Sequence, residues 1–263
     1  MTARVATYLD RIVEQHRTAA AADHRDLGLL HQLAGEQPAP RGFRSAVHRT
    51  DDLVVISEIK RRSPSKGHLN ADLDPADMAR AYARGGASCL SVLTDVDHFG
   101  GSVADLQAAR AACTLPVLRK DFTVCVADVL DARIMGADCL LLIVAALDPA
   151  ELIELHTVAG EIGLDVLVEI HDEVELEIAL RAEATLIGVN QRDLVTFEVD
   201  HDRALRMASV IPDHVVKVAE SGVRGPADAA RLRNAGYDAV LVGESLVTAA
   251  DPAAAIEALR VAR

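Results

Sequence analysis

The stretch VADVLDARIMGADCLLLIVAAL, residues 126–147, decides how the fold of this chain is interpreted. Its first half has the spacing of apolar residues expected of a helix and ends at Gly136, and an unbroken apolar run starts at Cys139. Glycine commonly follows the last turn of a helix, because it adopts the left-handed conformation without steric cost. An apolar run that does not alternate is typical of a strand buried on both faces of a parallel sheet. The stretch therefore predicts a helix, a glycine stop and a buried parallel strand.

The same order of elements recurs along the chain. Helical stretches separate eight apolar runs, and one of these helices is predicted over Pro75–Arg84 with Asp74 as its N-cap. The predicted strands are Leu53–Ile59, Cys89–Leu93, Pro116–Leu118, Cys139–Val144, Asp165–Ile170, Thr185–Val189, Val215–Ala219 and Ala239–Val242. Such alternation predicts an α/β protein with a closed (β/α)8 TIM barrel, a fold that often takes about 250 residues as one domain. An open doubly wound sheet is the alternative, but no strand is followed by Gly-x-Gly-x-x-Gly.

Residues 1–49 precede the first predicted strand and form an N-terminal helical extension. They are predicted to hold one amphipathic helix, about Val5 to Asp23, followed by the proline-rich connector GEQPAPRGF, residues 35–43. We expect the extension to pack on the barrel, either as a lid over the mouth or as a plug at the bottom. Residues 50–263 then form the barrel, in a single domain overall.

The charge of the chain excludes two classes of partner. The formal net charge of −13 repels phosphate backbones, so we expect neither nucleic acid nor an anionic membrane as a partner. A small anionic ligand remains compatible with this charge where cations are concentrated locally, as at Lys60-Arg61-Arg62.

No metal, cofactor or disulfide framework is expected. The four cysteines form no Cys-x-x-Cys pair, and none of the ten histidines is spaced as a metal-binding pair. The first residues lack the apolar core of a signal peptide, and the run CLLLIVAAL, residues 139–147, is too short to span a bilayer. We therefore expect a cytoplasmic protein with buried, reduced thiols.

Charged residues gather where the predicted strands end, which is the functional face of a (β/α)8 barrel. Glu58 and Lys60 end the first strand and point the same way, because they are two residues apart. Lys120 follows the third strand, and Glu169 and Asn190 end the fifth and sixth. Such a group of charges shifts pKa values and lets an acid and a base coexist near neutral pH. A set of structural ion pairs that braces the rim is the alternative interpretation.

A phosphate site is predicted where the seventh and eighth strands end. Ser221-Gly222 and Gly243-Glu244 lead there into a loop or a short helix. Small residues at these two positions let backbone N–H groups converge on an anion. A phosphorylated small molecule follows as the hypothesis.

Two further segments near the mouth indicate a functional role less specifically. His171 has a titratable ring, but its position beyond the strand end predicts that it faces a helix or solvent. The loop HFGGS, residues 98–102, serves either as a lid over the mouth or only as a turn.

These residues lie in motifs that resemble the indole-3-glycerol phosphate synthase family over about Leu53 to Val247. The motifs follow the family's order: EIKRRSPSKG (58–67), FGGS (99–102), LRKDF (118–122), LLLIVAAL (140–147), LVEIHDEVELE (167–177), GVNQRDLVTFEVD (188–200), AESGV (219–223) and VLVGESLV (240–247). The resemblance implies a carboxy-lyase of tryptophan biosynthesis. Its substrate, 1-(2-carboxyphenylamino)-1-deoxyribulose 5-phosphate, loses carbon dioxide and water to give indole-3-glycerol phosphate, without metal or cofactor.

The resemblance also implies catalytic roles. Lys120 would be the general acid that protonates the ketone oxygen as the aromatic ring carbon attacks it, with Glu169 supporting that lysine. Glu58 and Lys60 would serve the later loss of water, and whether Lys60 acts mainly on a proton or on the phosphate stays open. Asn190 and Ser221 would hold substrate hydroxyls and the carboxylate.

Substrate-binding roles are implied in the same way. The residues are Ser63, Arg192 and Glu220 for polar groups; the backbone of Gly222, Gly243 and Glu244 for the phosphate; and the apolar Pro64, Leu93 and Phe122 for the anthranilate ring. The Glu244 side chain is expected to point away from the phosphate, because two anions repel each other.

Two alternatives to this function stay in view. Other phosphate-binding barrels, such as phosphoribosylanthranilate isomerase or the tryptophan synthase α chain, lack a lysine in an Arg-Lys-Asp-Phe setting together with Glu-Ile-Lys on the first strand. A barrel kept only as a binding module would be expected to lack one of Glu58, Lys120 and Glu169, and all three are present. A monomer is predicted, and association with other enzymes of tryptophan biosynthesis is left open.

Overall fold

The centre of the molecule is a closed barrel of eight parallel strands. The computed structural model describes residues 7–48, 52–64, 66–193 and 195–260. The strands are β1 (Val54–Ile59), β2 (Cys89–Leu93), β3 (Val117–Lys120), β4 (Cys139–Ile143), β5 (Asp165–Ile170), β6 (Leu186–Asn190), β7 (Val216–Glu220) and β8 (Ala239–Val242). Neighbours pair in chain order, and β8 closes the barrel on β1, with Val54 opposite Ala239. The predicted (β/α)8 fold is confirmed.

Helices surround the barrel and precede it. Three lie before β1: α1 (Tyr8–Ala21), α2 (Leu27–Gly35) and α3 (Phe43–Val47). The others are α4 (Pro75–Arg84), α5 (Val103–Ala112), α6 (Val126–Ile134), α7 (Pro149–Glu161), α8 (Glu173–Arg181), α9 (Arg203–Ala208), α10 (Pro226–Asn234), α11 (Glu244–Val247) and α12 (Pro252–Leu259), with a 3-10 turn at Val144–Ala146. The loop after β1 holds a small hairpin, Arg62–Ser63 with Gly67–His68. In the described part of the chain, no helix is both long and apolar enough to cross a membrane.

Residues 126–147 show how the repeating unit forms. Helix α6 ends at Ile134, Gly136 has a φ of +96°, and β4 begins at Cys139. Within β4, Leu140 and Leu142 pack among the outer helices, whereas its other side chains face the barrel interior. Both faces of the strand are apolar, so the sequence does not alternate. Each fully buried leucine contributes about 1.5–3 kcal/mol to folding by leaving water.

The N-terminal extension differs from the prediction. The expected helix is present as α1, but α2 and α3 were not predicted. The prediction of a single helix followed by a connector was therefore wrong. Helix α2 starts at Leu27, directly after the N-cap residue Asp26, whose side chain accepts a hydrogen bond from the Leu29 N–H. Helix α3 has only five residues, too few to show a helical period in the sequence.

The two ends of the extension reach opposite ends of the barrel. Phe43 and Val47 of α3 are fully buried and pack with the inward side chains at the amino-terminal ends of the strands. Tyr8, Leu9 and Ile12 of α1 lie at the opposite end and line the mouth. The extension is therefore a plug at the bottom and part of the wall at the top.

Three strands are one or two residues longer at their ends than predicted. β3, β6 and β7 continue to Lys120, Asn190 and Glu220. A polar residue interrupts the apolar run in the sequence, but the backbone hydrogen bonds of the sheet continue past it. These polar side chains therefore stand on the rigid strands themselves and not on flexible loops.

Candidate active site

The mouth of the barrel is a cavity of about 500 Å³, which is within the range of small-molecule sites. Every residue predicted for the site lines it: Glu58, Lys60, Ser63, Pro64, Leu93, Lys120, Phe122, Glu169, Asn190, Arg192, Glu220, Ser221, Gly222, Gly243 and Glu244. The closed barrel brings these residues together from β1, β2, β3, β5, β6, β7 and β8 and the loops that follow. The roles implied for them remain predictions.

Lys120 lies at the centre of this cavity between two carboxylates. Its Nζ is 3.3 Å from Glu169 Oε2 and 3.6 Å from Glu220 Oε2. Burial works against the charged ammonium, but the charges of Glu169, Glu220 and Glu58 outweigh it and raise the pKa of Lys120 above its ordinary value. Lys120 is therefore a charged hydrogen-bond donor near neutral pH.

Glu169 is ionised although its side chain is almost fully buried. Burial disfavours the carboxylate, but the charges of Lys120 and His171 and hydrogen bonds from Asn190 and Lys120 leave its pKa below the ordinary value. Asn190 Nδ2 donates to Glu169 Oε1 at 3.0 Å. Each oxygen of this carboxylate thus has its own donor, which fixes its direction.

Glu220 differs from Glu169 in protonation. Burial raises the pKa of Glu220 to about 8, with the negative charges of Glu169 and Glu58 adding to the effect of burial and Lys120 opposing it. The Glu220 side chain occupies space beside Gly188 of β6, where a Cβ would lie 2.0 Å from Glu220 Oε1. Two neighbouring carboxyl groups with different proton affinities let the mouth hold a proton donor and a carboxylate at the same pH.

A second ion pair stands on β1 and the residue that follows it. Lys60 Nζ is 2.5 Å from Glu58 Oε1, and both side chains are largely buried. Gly243, after β8, allows this approach, because a Cβ there would come within 2.4 Å of Glu58 Oε1. The pair places an acid and a base side by side at the edge of the cavity.

The loop after β6 is held by Asn190. Its Oδ1 accepts the backbone N–H of Arg192 at 3.0 Å, and Arg192 Nη1 donates to the Phe197 carbonyl at 3.0 Å. Asn190 therefore connects the buried Glu169 to a loop that carries a cation into the mouth. Phe197 itself has a φ of +61°, which is uncommon for a residue with a side chain.

The ends of β7 and β8 form the side of the mouth where a phosphate was predicted. Ser221 and Gly222 have φ values of +65° and +75°, and left-handed backbone at a non-glycine residue is a strain often found at functional sites. Helix α11 starts at Glu244, directly after Gly243. The Glu244 carboxylate lies 3.7 Å from Lys66 Nζ, in the loop after β1.

An apolar wall faces these polar groups. The predicted Leu93 and Phe122 are joined by Phe99, whose ring centroid is 6.3 Å from that of Phe122. The loop at residues 98–102 therefore contributes to the mouth. Tyr8, Leu9 and Ile12 of α1 complete the wall and were not predicted, because an amphipathic pattern does not say which surface the apolar face meets.

Helix α1 is attached to the barrel by a histidine between two carboxylates. His16 Nε2 lies 3.2 Å from Asp95 Oδ2 and 3.9 Å from Asp121 Oδ1. Within the described ranges, these three residues have donor atoms close enough together to hold a metal ion. The carboxylates already accept internal hydrogen bonds, Asp95 from the His98 N–H and Asp121 from Arg119.

His171 contacts both a helix and the mouth, which is more than the sequence predicted. Its Nδ1 lies 3.0 Å from Glu175 Oε2 of α8, and its Nε2 lies 3.8 Å from Glu169 Oε1. Burial lowers the pKa of His171, but the hydrogen bond to Glu175 and the charges of Glu169 and Glu175 outweigh burial and raise it above the ordinary value.

Comparisons with known proteins show the family of the chain. The model of the family described as indole-3-glycerol phosphate synthase matches residues 9–259. Proteins named indole-3-glycerol phosphate synthase are 51% identical in Streptomyces griseus, over 94% of this chain and 93% of theirs, and 49% in Mycolicibacterium vanbaalenii, over 95% and 93%. A relative of the same name from Polaromonas is 46% identical, over 95% of this chain and 97% of its own.

A solved structure extends the likeness of the fold alone. The thiamine phosphate pyrophosphorylase of Pyrococcus furiosus superposes with a TM-score of 0.59 over 79% of this chain and 93% of its own. The two sequences are 14% identical, so this likeness concerns the barrel and not the chemistry in its mouth.

Proposed function

The chain belongs to the indole-3-glycerol phosphate synthase family, and we propose that it catalyses the ring closure for which that family is named. The substrate is 1-(2-carboxyphenylamino)-1-deoxyribulose 5-phosphate. Its aromatic ring carbon attacks the ketone carbon, and carbon dioxide and then water leave to give indole-3-glycerol phosphate. The enzyme is a carboxy-lyase of tryptophan biosynthesis.

The observation that carries the proposal is the position of Lys120. A charged lysine is buried between Glu169 and Glu220 in a cavity that has an apolar wall on one side and small residues at strand ends on the other. The alkoxide that develops on the attacked ketone is a much stronger base than an amine, so an ammonium with a raised pKa can still protonate it. Lys120 is the general acid of this step.

Carbon dioxide leaves next, and electrons return to the ring as the carbon–carbon bond to the carboxylate breaks. Glu169 remains ionised beside the reacting atoms and stabilises the positive charge that develops on the nitrogen. Asn190 holds Glu169 in place and, with Ser221, binds polar groups of the substrate.

The loss of water needs one acid and one base. Glu58 and Lys60 supply both at a separation of 2.5 Å. The acid gives a proton to the departing hydroxyl, and the base removes the proton on the neighbouring carbon, so that the double bond of the new five-membered ring forms.

The cavity also accounts for binding of a doubly anionic molecule by an acidic protein. Leu93, Phe122 and Pro64 hold the anthranilate ring, with Phe99 and α1 completing the wall. The backbone of Gly222, Gly243 and Glu244 binds the phosphate, with Lys60 nearby. Ser63, Arg192 and Glu220 contact the remaining polar groups.

We place the enzyme in the cytoplasm as a monomer. A substrate with a carboxylate and a phosphate does not cross a bilayer and must meet the enzyme in the compartment where it is made. Size-exclusion chromatography with light scattering tests the monomer, and a mass of two chains would contradict it.

The direct test is turnover of the carboxyphenylamino substrate, followed by the fluorescence of the indole product. The chain contains no tryptophan, so background emission is low. We expect turnover by the wild type, and a Lys120→Met variant should lose about 100- to 10,000-fold in kcat, which is the contribution of a general acid. Substrate binding without turnover by the wild type would favour the alternative of a binding module.

A matched control removes another buried lysine outside the mouth. Lys217 of β7 points toward the outer helices, where its Nζ donates to the Ala208 carbonyl. Lys217→Met should keep kcat within about twofold, although it is expected to destabilise the fold. Equal activity losses in the two variants would mean that Lys120 has no special role.

A further inference from the structure

His171 lies just beyond the end of β5, between two carboxylates of different elements. Its backbone N–H donates to Glu175 Oε2 at 2.7 Å, and its Nδ1 lies 3.0 Å from the same oxygen. The other ring nitrogen, Nε2, faces Glu169 Oε1 at 3.8 Å. The ring therefore connects α8 to the carboxylate that pairs with Lys120.

The protonation of this ring follows from its two neighbours. Glu175 Oε2 accepts a hydrogen bond from the histidine, so Nδ1 carries a proton. Nε2 is buried and has no hydrogen-bond partner. In a neutral ring its lone pair would point toward a carboxylate oxygen, which is repulsive, whereas in the charged ring an N–H points there. The imidazolium is therefore the form that suits this geometry.

Charged groups on several elements face His171. Glu169 lies on its own strand and Glu175 on α8, and Glu220 of β7 is close enough for its proton affinity to be affected by the histidine. Arg203 of α9 opposes the charge, and its Nη1 donates to the Asn190 carbonyl at 2.9 Å. Glu220 keeps its proton below about pH 8, so Glu169 and Glu175 are the ionised carboxylates that act on the ring, with Lys120 paired to Glu169. The attraction of these two carboxylates outweighs burial and the repulsion of Arg203.

We propose that His171 is a positioning residue for the reaction: its imidazolium, anchored by Glu175, keeps Glu169 ionised and directed toward Lys120 and Asn190. The role rests on the proposed function, because Glu169 acts there beside the general acid. His171 itself touches no reacting atom.

The need for a second cation arises during the proposed proton transfer. Once Lys120 gives its proton to the developing alkoxide, the lysine is neutral and no longer balances Glu169. A buried carboxylate without a cation would take up a proton and could not stabilise the positive charge on the substrate nitrogen. His171, on the far side of Glu169, maintains the charge at this moment.

The test compares kcat and KM of the wild type and His171→Gln from pH 6 to pH 9. At pH 6 we expect kcat to fall about tenfold, which corresponds to about 1.4 kcal/mol in the activation free energy, with KM within about twofold. Because the wild-type ring loses its proton as pH rises through its raised pKa, the two kcat values should converge toward pH 9. A purely structural role would give the same loss at every pH.

Two variants on α8 serve as the second measurement. Glu175→Gln keeps the imidazole but removes the carboxylate that anchors it. The pH at which kcat decreases toward the value of His171→Gln should therefore be lower in this variant than in the wild type. Glu177→Gln removes the same charge from an exposed position two residues further along the helix and should behave as the wild type.

NMR provides a readout that does not depend on activity. In protein with 13C-labelled histidine, the signal of His171 is identified as the one missing from the spectrum of His171→Gln. The pKa measured from this signal should lie above the ordinary histidine value of about 6.5, and Glu175→Gln should lower it. A wild-type kcat unchanged by His171→Gln at pH 6, a loss that does not vary with pH, or a signal that titrates at or below the ordinary value would each overturn the proposal. A wild type without turnover would instead refute the proposed function, whereas the titration would still show whether the ring is held as an imidazolium.

Discussion

Both ends of the barrel bury side chains, but those at the bottom are apolar and those at the mouth are charged. At the bottom, Val54, Cys139 and Ala239 face inward and pack with Phe43 of α3. At the mouth, neighbouring strands end in charged groups such as Glu169, which is almost fully buried, and Lys120, whose side chain is 16% exposed. Apolar burial stabilises the fold, whereas buried charge is costly unless it is paired. The barrel thus separates the apolar part that stabilises the fold from the charged part to which the proposed mechanism assigns the reaction.

Carboxylates occur at both ends, and their partners differ. At the bottom, Asp138 accepts the backbone N–H of Val117 at 2.8 Å, and Asp165 accepts that of Arg44 at 2.8 Å. Backbone donors of this kind are fixed and keep their protons. At the mouth, Glu169 is balanced by the side chain of Lys120, which can give a proton away. In the proposed mechanism, a carboxylate is structural or reactive according to whether its partner can lose a proton.

Phe43→Ala tests the bottom alone and should have the largest effect on stability. Removing a fully buried aromatic ring should lower the free energy of unfolding by about 3–5 kcal/mol, because the missing ring leaves a cavity between α3 and the barrel. Phe43→Leu should lower the free energy of unfolding much less, because leucine fills most of the space of the ring. Urea denaturation measures both, and kcat per folded molecule should stay within about twofold of the wild type. A parallel loss of kcat would show that the two ends are not independent.

Glu220→Gln tests the energetic cost of charge at the mouth. Because the folded pKa of Glu220 is raised to about 8, the folded state keeps a proton that the unfolded chain has lost, and wild-type stability falls as pH rises from about 4.5 to about 8. The variant removes this loss, so relative to the wild type its free energy of unfolding should gain on the order of 4 kcal/mol between pH 5 and pH 9. Denaturation at both pH values measures the gain, and Glu257→Gln, on the exposed face of α12, is the control. An equal effect at both pH values would contradict the raised pKa.

His16→Gln tests the attachment of α1 and should have the smallest effect. The hydrogen bond to Asp95 raises the pKa of His16 above its ordinary value, with the charge of Asp121 adding to it and burial opposing it. The ion pair is therefore complete below about pH 6.5 and is lost as pH rises through the raised folded pKa. At pH 6 the variant should raise KM a few-fold, about 0.5–1 kcal/mol, because α1 completes the apolar wall, and the difference should vanish at pH 9. The exposed His24→Gln is the control, and a KM increase independent of pH would count against the ion pair.

Prediction from the sequence was most complete where local patterns decide structure. The eight strands, the helix over Pro75–Arg84 and the strand-end positions of Glu58 and Glu169 follow from apolar runs, caps and glycines. It was least complete where polar residues end a strand, as at Lys120, which lies two residues beyond the predicted end of β3, and in the short helix α3. His171 was expected to face a helix or solvent, although it lies two residues after Glu169, the same spacing that puts Glu58 and Lys60 on one face.

The order of the elements and the set of side chains at the carboxyl ends of the strands follow from local patterns, because hydrophobic period and turn chemistry act over a few residues. Which of these groups touch depends on the packing of the complete barrel. The strand register sets Glu220 beside Gly188 and Lys120 between two carboxylates, and closure of the barrel brings Gly243 next to Glu58. The positions of α1 at the mouth and of α3 at the bottom likewise depend on tertiary packing. These contacts join residues far apart in the chain, so their geometry depends on how the whole barrel closes.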